Sequence, residues 1–427
     1  MKLPSFIKNN TVLKITSLNS AVIVVRLVIS LIVQHFLALI VKEAGIAKVG
    51  QLRNVLAMLT SFTTLGVFSG VVKYVSQYKT DQPTLQKLFS TSAVFALFGS
   101  VVSAIVLFVG ADYFALTLLD DIGLSFLFKI IALTVPFIAI QRIFYAVING
   151  LSDYKKYAKI ELISYILATL VLLFGLFNYN ITGVLVAIAL GPIIQLIVLL
   201  LIFGGVLKEY AHFKELKFDL SFKNQLLAFT LMSFVSTILL NYVELDIRTV
   251  IKDKISVDEA GYWTAINFIS KNYMVFSTGL FTLYVLPRFA AINNQVDFTK
   301  EVFHIYKTIL PIFGVGMLLI YSFRDYIIQI IYPEFTGMSP LFKWQLLGDF
   351  ARLAALVIAH QFLAKRMVKS FVITEIVSLA SFYILSMILI KQFSTEGVVM
   401  AHFFRCVLYF FIVVIAVFYF YRNNQRH

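Results

Sequence analysis

Residues Ala158–Val206 read AKIELISYILATLVLLFGLFNYNITGVLVAIALGPIIQLIVLLLIFGGV. Beyond Glu161 the stretch carries no charged side chain. Its two apolar runs, 158–178 and 182–206, are each about the 20 residues that a helix needs to cross a hydrocarbon core. They are continuous rather than alternating at every second residue, which points to helices and away from a transmembrane barrel. A pair of spanning helices joined by a few residues is therefore the unit from which the chain is read.

The same pattern recurs outward in both directions. Further runs fall at 11–34, 50–76, 86–110, 125–149, 226–250, 260–290, 302–322, 339–364, 369–390 and 397–421, giving about twelve helices of spanning length. The second starts among Lys48 and Arg53, and the eighth is long enough to be tilted or broken. Of the 427 residues, 60% are hydrophobic and 14% charged, with mean hydropathy +0.89. An ordinary soluble domain is nearer 25% charged, so soluble and disordered classes are excluded. The one cysteine, Cys406, rules out a disulfide framework and a cysteine metal site. The polar, basic Met1–Asn10 precedes a long apolar run without a small-residue cleavage site, so the reading keeps Met1 on the chain.

The formal charge of +14 would suggest nucleic acid in a soluble protein. Here the loops account for most of it. One side collects Lys2, Lys8, Lys73, Lys79, Lys155, Lys156, Lys208, Lys214, Lys217, Lys300, Arg366, Lys369, Arg422 and Arg426, about 20 bases with their neighbours; the other side has about 6. This bias places both termini in the cytoplasm, and no nucleic-acid partner is expected. No connection is long enough for a soluble catalytic domain, and no Walker A pattern is present, so a transporter rather than an enzyme is expected, without a cofactor.

A shift of 214 residues lays Lys155 and Glu161-Leu162-Ile163-Ser164 on Lys369 and Glu375-Ile376-Val377-Ser378, and Gly183-Val184 and Ala187 on Gly397-Val398 and Ala401. Six helices per half preserve orientation, so the repeats are parallel. The expected fold is an all-α polytopic membrane protein of two six-helix lobes, 1–210 and 211–427, related by a pseudo-two-fold axis.

About ten bases remain inside spans, each costing roughly 2.5–3.5 kcal/mol at mid-membrane. Lys129, Lys307 and Lys343 sit near span ends and can snorkel. Glu161 and Glu375 lie close to loop lysines with which they can pair. Glu244 and Arg248 are four apart, and Asp349 and Arg352 three apart, spacings at which each pair can neutralise itself or serve a gate. Arg26 and Arg53 have no acid in their own helices, and Lys271 lies deep in the long eighth helix. Arg26 and Arg248 occupy the first helix of each half, Arg53 and Lys271 the second, so four bases are expected to converge on an anion. Arg142 and Arg352 extend this basic set. Guanidinium grips phosphate through paired hydrogen bonds, which makes phosphate or pyrophosphate the favoured ligand group. Glu244, Asp246 and Asp349 are the candidates for coupling or gating. His35, His360 and His402 can titrate, although packing or hydrogen bonding is the commoner fate of a lone histidine. Nothing in the pattern suggests a metal. Gly66 and Gly70 form a GxxxG best read as close helix packing.

An ordered set of short motifs spans nearly the whole chain. It comprises Gly70-Val71-Val72-Lys73-Tyr74-Val75-Ser76-Gln77-Tyr78, Phe229-Thr230-Leu231-Met232, Asp258-Glu259-Ala260-Gly261-Tyr262-Trp263, Tyr284-Val285-Leu286-Pro287, Arg324-Asp325, Trp344-Gln345-Leu346-Leu347-Gly348-Asp349, Ala364-Lys365 and Glu375. The set resembles the O-antigen translocases, in particular the lipid III flippase branch, within the multidrug/oligosaccharidyl-lipid/polysaccharide exporter superfamily. The resemblance implies two six-helix bundles in the bacterial inner membrane. It implies a cargo of undecaprenyl-diphosphate-linked oligosaccharide, O-antigen or common-antigen-like, moved from the cytoplasmic to the periplasmic leaflet. It places Arg26 and Arg53 against the diphosphate. Membrane lipids, a polysaccharide polymerase and a chain-length regulator are its implied partners. In one departure, Lys271 stands where the family pattern has an Asp. Either the role of that acid is lost or moved, or the extra base holds a more acidic sugar. The alternative reading is a MATE-type drug or cation antiporter of the same superfamily, which would need unpaired acids in its cavity.

Overall fold

The computed structural model describes residues 11–210, 218–292, 294–365 and 367–424. Met1–Asn10, Lys214, Lys217, Arg366 and Arg426 lie outside them. Among the described residues every regular element is helical. In chain order these are α1 (Thr11–Phe62), α2 (Phe68–Tyr78), α3 (Gln82–Val109), α4 (Ala111–Leu119), α5 (Ser125–Gly150), α6 (Tyr154–Tyr210), α7 (Lys223–Ser233), α8 (Leu240–Lys254), α9 (Val257–Leu280), α10 (Leu286–Ala291), α11 (Gln295–Ser322), α12 (Arg324–Ile331), α13 (Leu341–Ala364) and α14 (Val368–Asn424). Eight helical runs are long and apolar enough to cross a membrane by length and composition.

Three of the long helices are each two helices meeting at a positive-φ residue. The breaks are Lys42 in α1 (φ 54, ψ −162), Asn180 in α6 (φ 52, ψ −139) and Ser394 in α14 (φ 51, ψ −139). The break at Asn180 divides the 158–178 and 182–206 runs, and Ser394 divides 369–390 from 397–421. The second span, read as continuous over 50–76, is interrupted. Leu65 (φ 49) and Gly66 (φ 70) turn the chain between α1 and α2, because two successive left-handed residues cannot continue a right-handed helix. The eighth span is broken by a π segment, Phe281–Val285, just before Pro287, which has no N–H to donate back. A second π segment, Phe234–Leu239, joins α7 to α8. Pro136, Pro192 and Pro311 lie within α5, α6 and α11 without ending them.

Contacts group the chain into two compact units, residues 48–245 and residues 1–47 with 246–427. The 48–245 unit is built on α2, α3, α5, α6 and α7. Val71, Val75, Leu88, Phe89, Tyr145, Ile148, Phe203 and Leu226 are its buried centre. Gly66 and Gly70 pack against α7. A Cβ at Gly66 would stand 2.6 Å from Ser233 Cβ, and the Ser61 and Ser233 hydroxyls are 2.9 Å apart. This is the close packing read from the GxxxG spacing. α3 opens on Asp81, whose carboxylate accepts from the Thr84 N–H at 3.1 Å and its hydroxyl at 2.7 Å, a side-chain cap for the orphan donors of the first turn. In the other unit, α13 packs against α9, α11 and α14. Its buried face includes Leu346, Leu353, Val357 and Phe362, and among them sits Asp349.

Candidate functional site

α13 is apolar along most of its length, yet Asp349 is wholly buried at its middle. A carboxylate taken from water without compensation costs several kcal/mol, so its partners decide whether it is tolerated. Oδ2 accepts from the Ser270 hydroxyl at 2.6 Å, from the Tyr273 hydroxyl, and from Gln345 Nε2 at 3.2 Å. Ser270 and Tyr273 are three apart on α9, so one helix face supplies both hydroxyls. Gln345 is one turn before Asp349 on α13. Oδ1 meets His402 Nε2 at 3.2 Å from α14. The His402 ring packs against Gly348, where an added Cβ would come within 2.5 Å of Cδ2. Cys406 Sγ follows one turn later, 3.9 Å from His402 Nδ1. Further along α14, the Arg405 guanidinium lies 4.7 Å over the Phe382 ring, and Glu375 accepts from the Tyr409 hydroxyl at 2.7 Å.

The residues between Ser270 and Tyr273 look elsewhere. Asn272 and Ser30 on α1 exchange side-chain hydrogen bonds at 3.3–3.4 Å. Arg26 is one turn before Ser30, and Lys271, which is exposed, adjoins Asn272. The Ser30–Asn272 bonds thus join the helices that carry Arg26 and Lys271 within this unit. Arg248 is placed differently from a ligand-facing base. It is 3% exposed, its Nε donates to Thr264 Oγ1 at 2.8 Å, and its guanidinium lies 5.1 Å over Trp263. Thr264 and Trp263 fix this cation by hydrogen bonding and cation–π attraction. Arg352 and Asp246 are half-buried. Asp349 turns to His402, Ser270 and Tyr273 rather than being settled by its spacing to Arg352.

In the 48–245 unit, Arg53 is half-buried beside Asn54. Asn54 Nδ2 reaches the Asn241 carbonyl at 3.2 Å and Glu244 Oε2 at 3.4 Å, and Gln51 Nε2 reaches the Leu245 carbonyl at 3.4 Å. These amides tie the second half of α1 to α8, and they give Glu244 a partner other than one on its own helix. The Arg142 guanidinium stacks 3.8 Å over Phe68, and its Nε is buried without a hydrogen-bond partner.

The sequence reading missed Ser270, Tyr273, Gln345 and Asn54 as site residues, and it took His402 as a histidine that can titrate but more commonly packs. Their only signal was that a buried acid at mid-span must find donors, and hydroxyl, amide or imidazole side chains within apolar helices are the available ones.

This architecture is that of a multi-pass helical membrane protein. It superposes on the lipid II flippase MurJ in an inward closed conformation with a TM-score of 0.70, at 15% identity, over 94% of this chain and 87% of that one. An inward-facing MATE-family multidrug transporter gives 0.70 at 12% identity, over 94% and 98% of the two chains. The polysaccharide biosynthesis protein family matches residues 12–293, and the chain belongs to that family. Over 396 residues it is 27% identical to the lipid III flippase of Escherichia coli (strain K12), covering 90% of this chain and 93% of that protein. The lipid III flippase of Shigella flexneri gives the same figures.

Proposed function

We propose that the protein is a flippase for a lipid-linked oligosaccharide. Its cargo is an undecaprenyl-diphosphate-linked O-antigen or common-antigen-like repeat unit, carried from the cytoplasmic to the periplasmic leaflet of the bacterial inner membrane. The observation that carries this reading is the surplus of bases in apolar helices, with Arg26 and Lys271 set on adjoining helices by Ser30 and Asn272. The named function of the lipid III flippases, similar over nine-tenths of this chain, supports the same cargo class.

In this reading the lipid tail stays in the bilayer while the diphosphate passes along Arg26, Arg53 and Lys271, with Arg142, Arg248 and Arg352 adding positive potential. The halves that alternate are the two six-helix lobes, 1–210 and 211–427, and both termini are cytoplasmic. A headgroup of charge about −2 leaving a negative interior gains about 4.6 kcal/mol per 100 mV if it crosses the whole field. A polysaccharide polymerase and a chain-length regulator are the proposed protein partners. A MATE-type drug or cation antiporter is the second reading. It is favoured by the buried acid Asp349 and weakened by the excess of bases.

The test is complementation of bacteria lacking their own O-antigen or common-antigen flippase, with membrane abundance matched. Rescue by the wild type supports the flippase. Failure of well-expressed wild type in strains of several glycan types, together with cation-drug export, supports the antiporter.

A further inference from the structure

We propose that His402 and Asp349 form a buried proton site in which His402 is the group that gains and loses the proton and Asp349 is its fixed counter-charge. Oδ2 of Asp349 already takes three donors, from Ser270, Tyr273 and Gln345. A carboxylate so surrounded is held as the anion, because each donor favours the charged form. An ionised carboxylate only accepts, so the ring nitrogen facing Oδ1, Nε2, carries its hydrogen in either state of the histidine. The other nitrogen, Nδ1, is not turned to Asp349; the Cys406 sulfur, a weak partner, lies 3.9 Å from each ring nitrogen. Nδ1 is therefore where a proton from water binds and leaves, with no other bond made or broken. The ring packs closely on Gly348, where no Cβ would fit.

The surrounding charges fit a single titrating centre. Tyr273 faces the pair from α9, and Arg352 lies one turn beyond Asp349 on α13. Arg405, Cys406, Tyr409 and Glu375 stand near it on α14, with Glu375 already engaged by Tyr409. The groups on α11 and α10 are directed elsewhere: Tyr306 donates to the Ala354 carbonyl at 2.7 Å, and Arg288 lies 3.3 Å from Glu301. The link to transport runs through one turn of α9. Ser270 and Tyr273 hold Asp349, while Asn272 between them bonds Ser30 on α1, one turn from Arg26, and adjoins Lys271 in the chain. A proton on His402 adds one positive charge to the unit that carries Arg26 and Lys271, bases proposed to hold an anionic headgroup, and charges within one low-dielectric unit bind interdependently. The transport half of this proposal rests on the flippase reading; the proton site does not.

Two measurements test it. The first is 15N-histidine NMR of the full-length protein in lipid nanodiscs from pH 5 to 9, with the His402 signal assigned by its loss in His402→Gln. The proposal expects one ring to titrate at Nδ1, with its midpoint lower in Asp349→Asn than in wild type. Ser270→Ala, which removes one donor and leaves both partners, is expected to move the same midpoint by a smaller amount. A His402 ring in one protonation state across the range, or an unmoved midpoint in both variants, overturns the proton site. The second is flipping of undecaprenyl-diphosphate oligosaccharide in proteoliposomes under an imposed pH gradient. The proposal expects the wild-type rate to respond to the gradient and this response to be lost in His402→Gln. A response retained in that variant overturns the coupling. A wild type that moves no such lipid refutes the flippase reading, while the NMR result still decides the proton site.

Discussion

Asn180 and Ser394 hold the same unusual backbone conformation, φ 52 with ψ −139 and φ 51 with ψ −139, at positions 214 residues apart. Each breaks a 57-residue helix into two. A positive φ in a residue with a Cβ costs of order 1–3 kcal/mol and persists only where its surroundings impose it. Here the imposing feature is a close backbone approach three residues on. A Cβ on Gly183 would lie 2.2 Å from the Gly175 carbonyl oxygen, and one on Gly397 would lie 2.4 Å from that of Leu389. The two hairpins share their break, their glycine and the position opposite it, Gly175 in one and Leu389 in the other, and together they are the clearest trace of internal duplication in the backbone.

The first prediction follows from that contact. Gly183→Val and Gly397→Val force backbone apart rather than a flexible side chain, so each should destabilise the protein by about 1–3 kcal/mol. Gly191→Ala, which meets nothing within 4 Å, should leave stability unchanged. Thermal unfolding of the detergent-solubilised protein distinguishes the three. Equal unfolding temperatures for Gly183→Val and Gly191→Ala would show that the hairpin has room to open.

Asp349→Ala should be among the most damaging single changes. It strands Ser270, Tyr273 and His402 without their acceptor in a buried place, and breaking a buried pair in this way costs about 3–5 kcal/mol. Ser270→Ala removes a single hydrogen bond and should cost about 1 kcal/mol. Unfolding of both variants in one detergent gives the comparison, and a smaller loss for Asp349→Ala than for Ser270→Ala would contradict the network.

Acid should weaken the start of α3. The Thr84 hydroxyl and N–H hold the Asp81 carboxylate below its usual range. A carboxyl whose folded value is depressed contributes stability above its unfolded value, and that contribution is lost as pH falls through the folded one. Asp81→Asn keeps an acceptor for the cap but removes the titration, so its stability should fall less steeply than that of wild type below about pH 4. Parallel unfolding curves from pH 6 to pH 3 would argue against the cap.

Arg26→Ala and Arg53→Ala should each lower complementation efficiency by roughly ten- to a hundredfold at equal membrane abundance, the equivalent of one charge-assisted contact of about 1.5–3 kcal/mol. Arg26→Lys should rescue in part, since an ammonium keeps the charge but loses the paired geometry. Arg248→Ala should act differently. Arg248 is packed on Trp263 and Thr264, so its loss should reduce the amount of folded protein more than the activity per molecule. Full rescue by both Arg26→Ala and Arg53→Ala would remove these residues from the cargo path.

Much of the architecture could be read from the chain because the apolar runs are long and unbroken, and length alone sets a spanning helix. The interruptions were less visible. Nothing in Leu65 marks it for a left-handed turn, and Asn180 and Ser394 are ordinary polar residues between two apolar runs. The charge surplus could be counted, but which way each base points depends on helix rotation, and rotation is fixed by packing between distant segments. Arg26 and Lys271 lie on helices joined by Ser30 and Asn272, whereas Arg248, the repeat counterpart of Arg26, is in contact with Trp263. Asp349 was legible as a buried acid, but its pairing with His402 joins residues 53 apart in sequence on different helices and left no local pattern to find.

The central claim is that this protein moves a diphosphate-linked oligosaccharide across a bilayer on a basic path, and the most direct measurement is reconstitution. Purified protein is placed in liposomes with a fluorescent undecaprenyl-diphosphate oligosaccharide, and the fraction of label accessible to an external quencher is followed in time. Transfer by wild type, slowed by roughly tenfold or more in Arg26→Ala and Arg53→Ala, is the predicted result. No transfer above protein-free liposomes, from protein that exports a cationic drug in the same membranes, would contradict it.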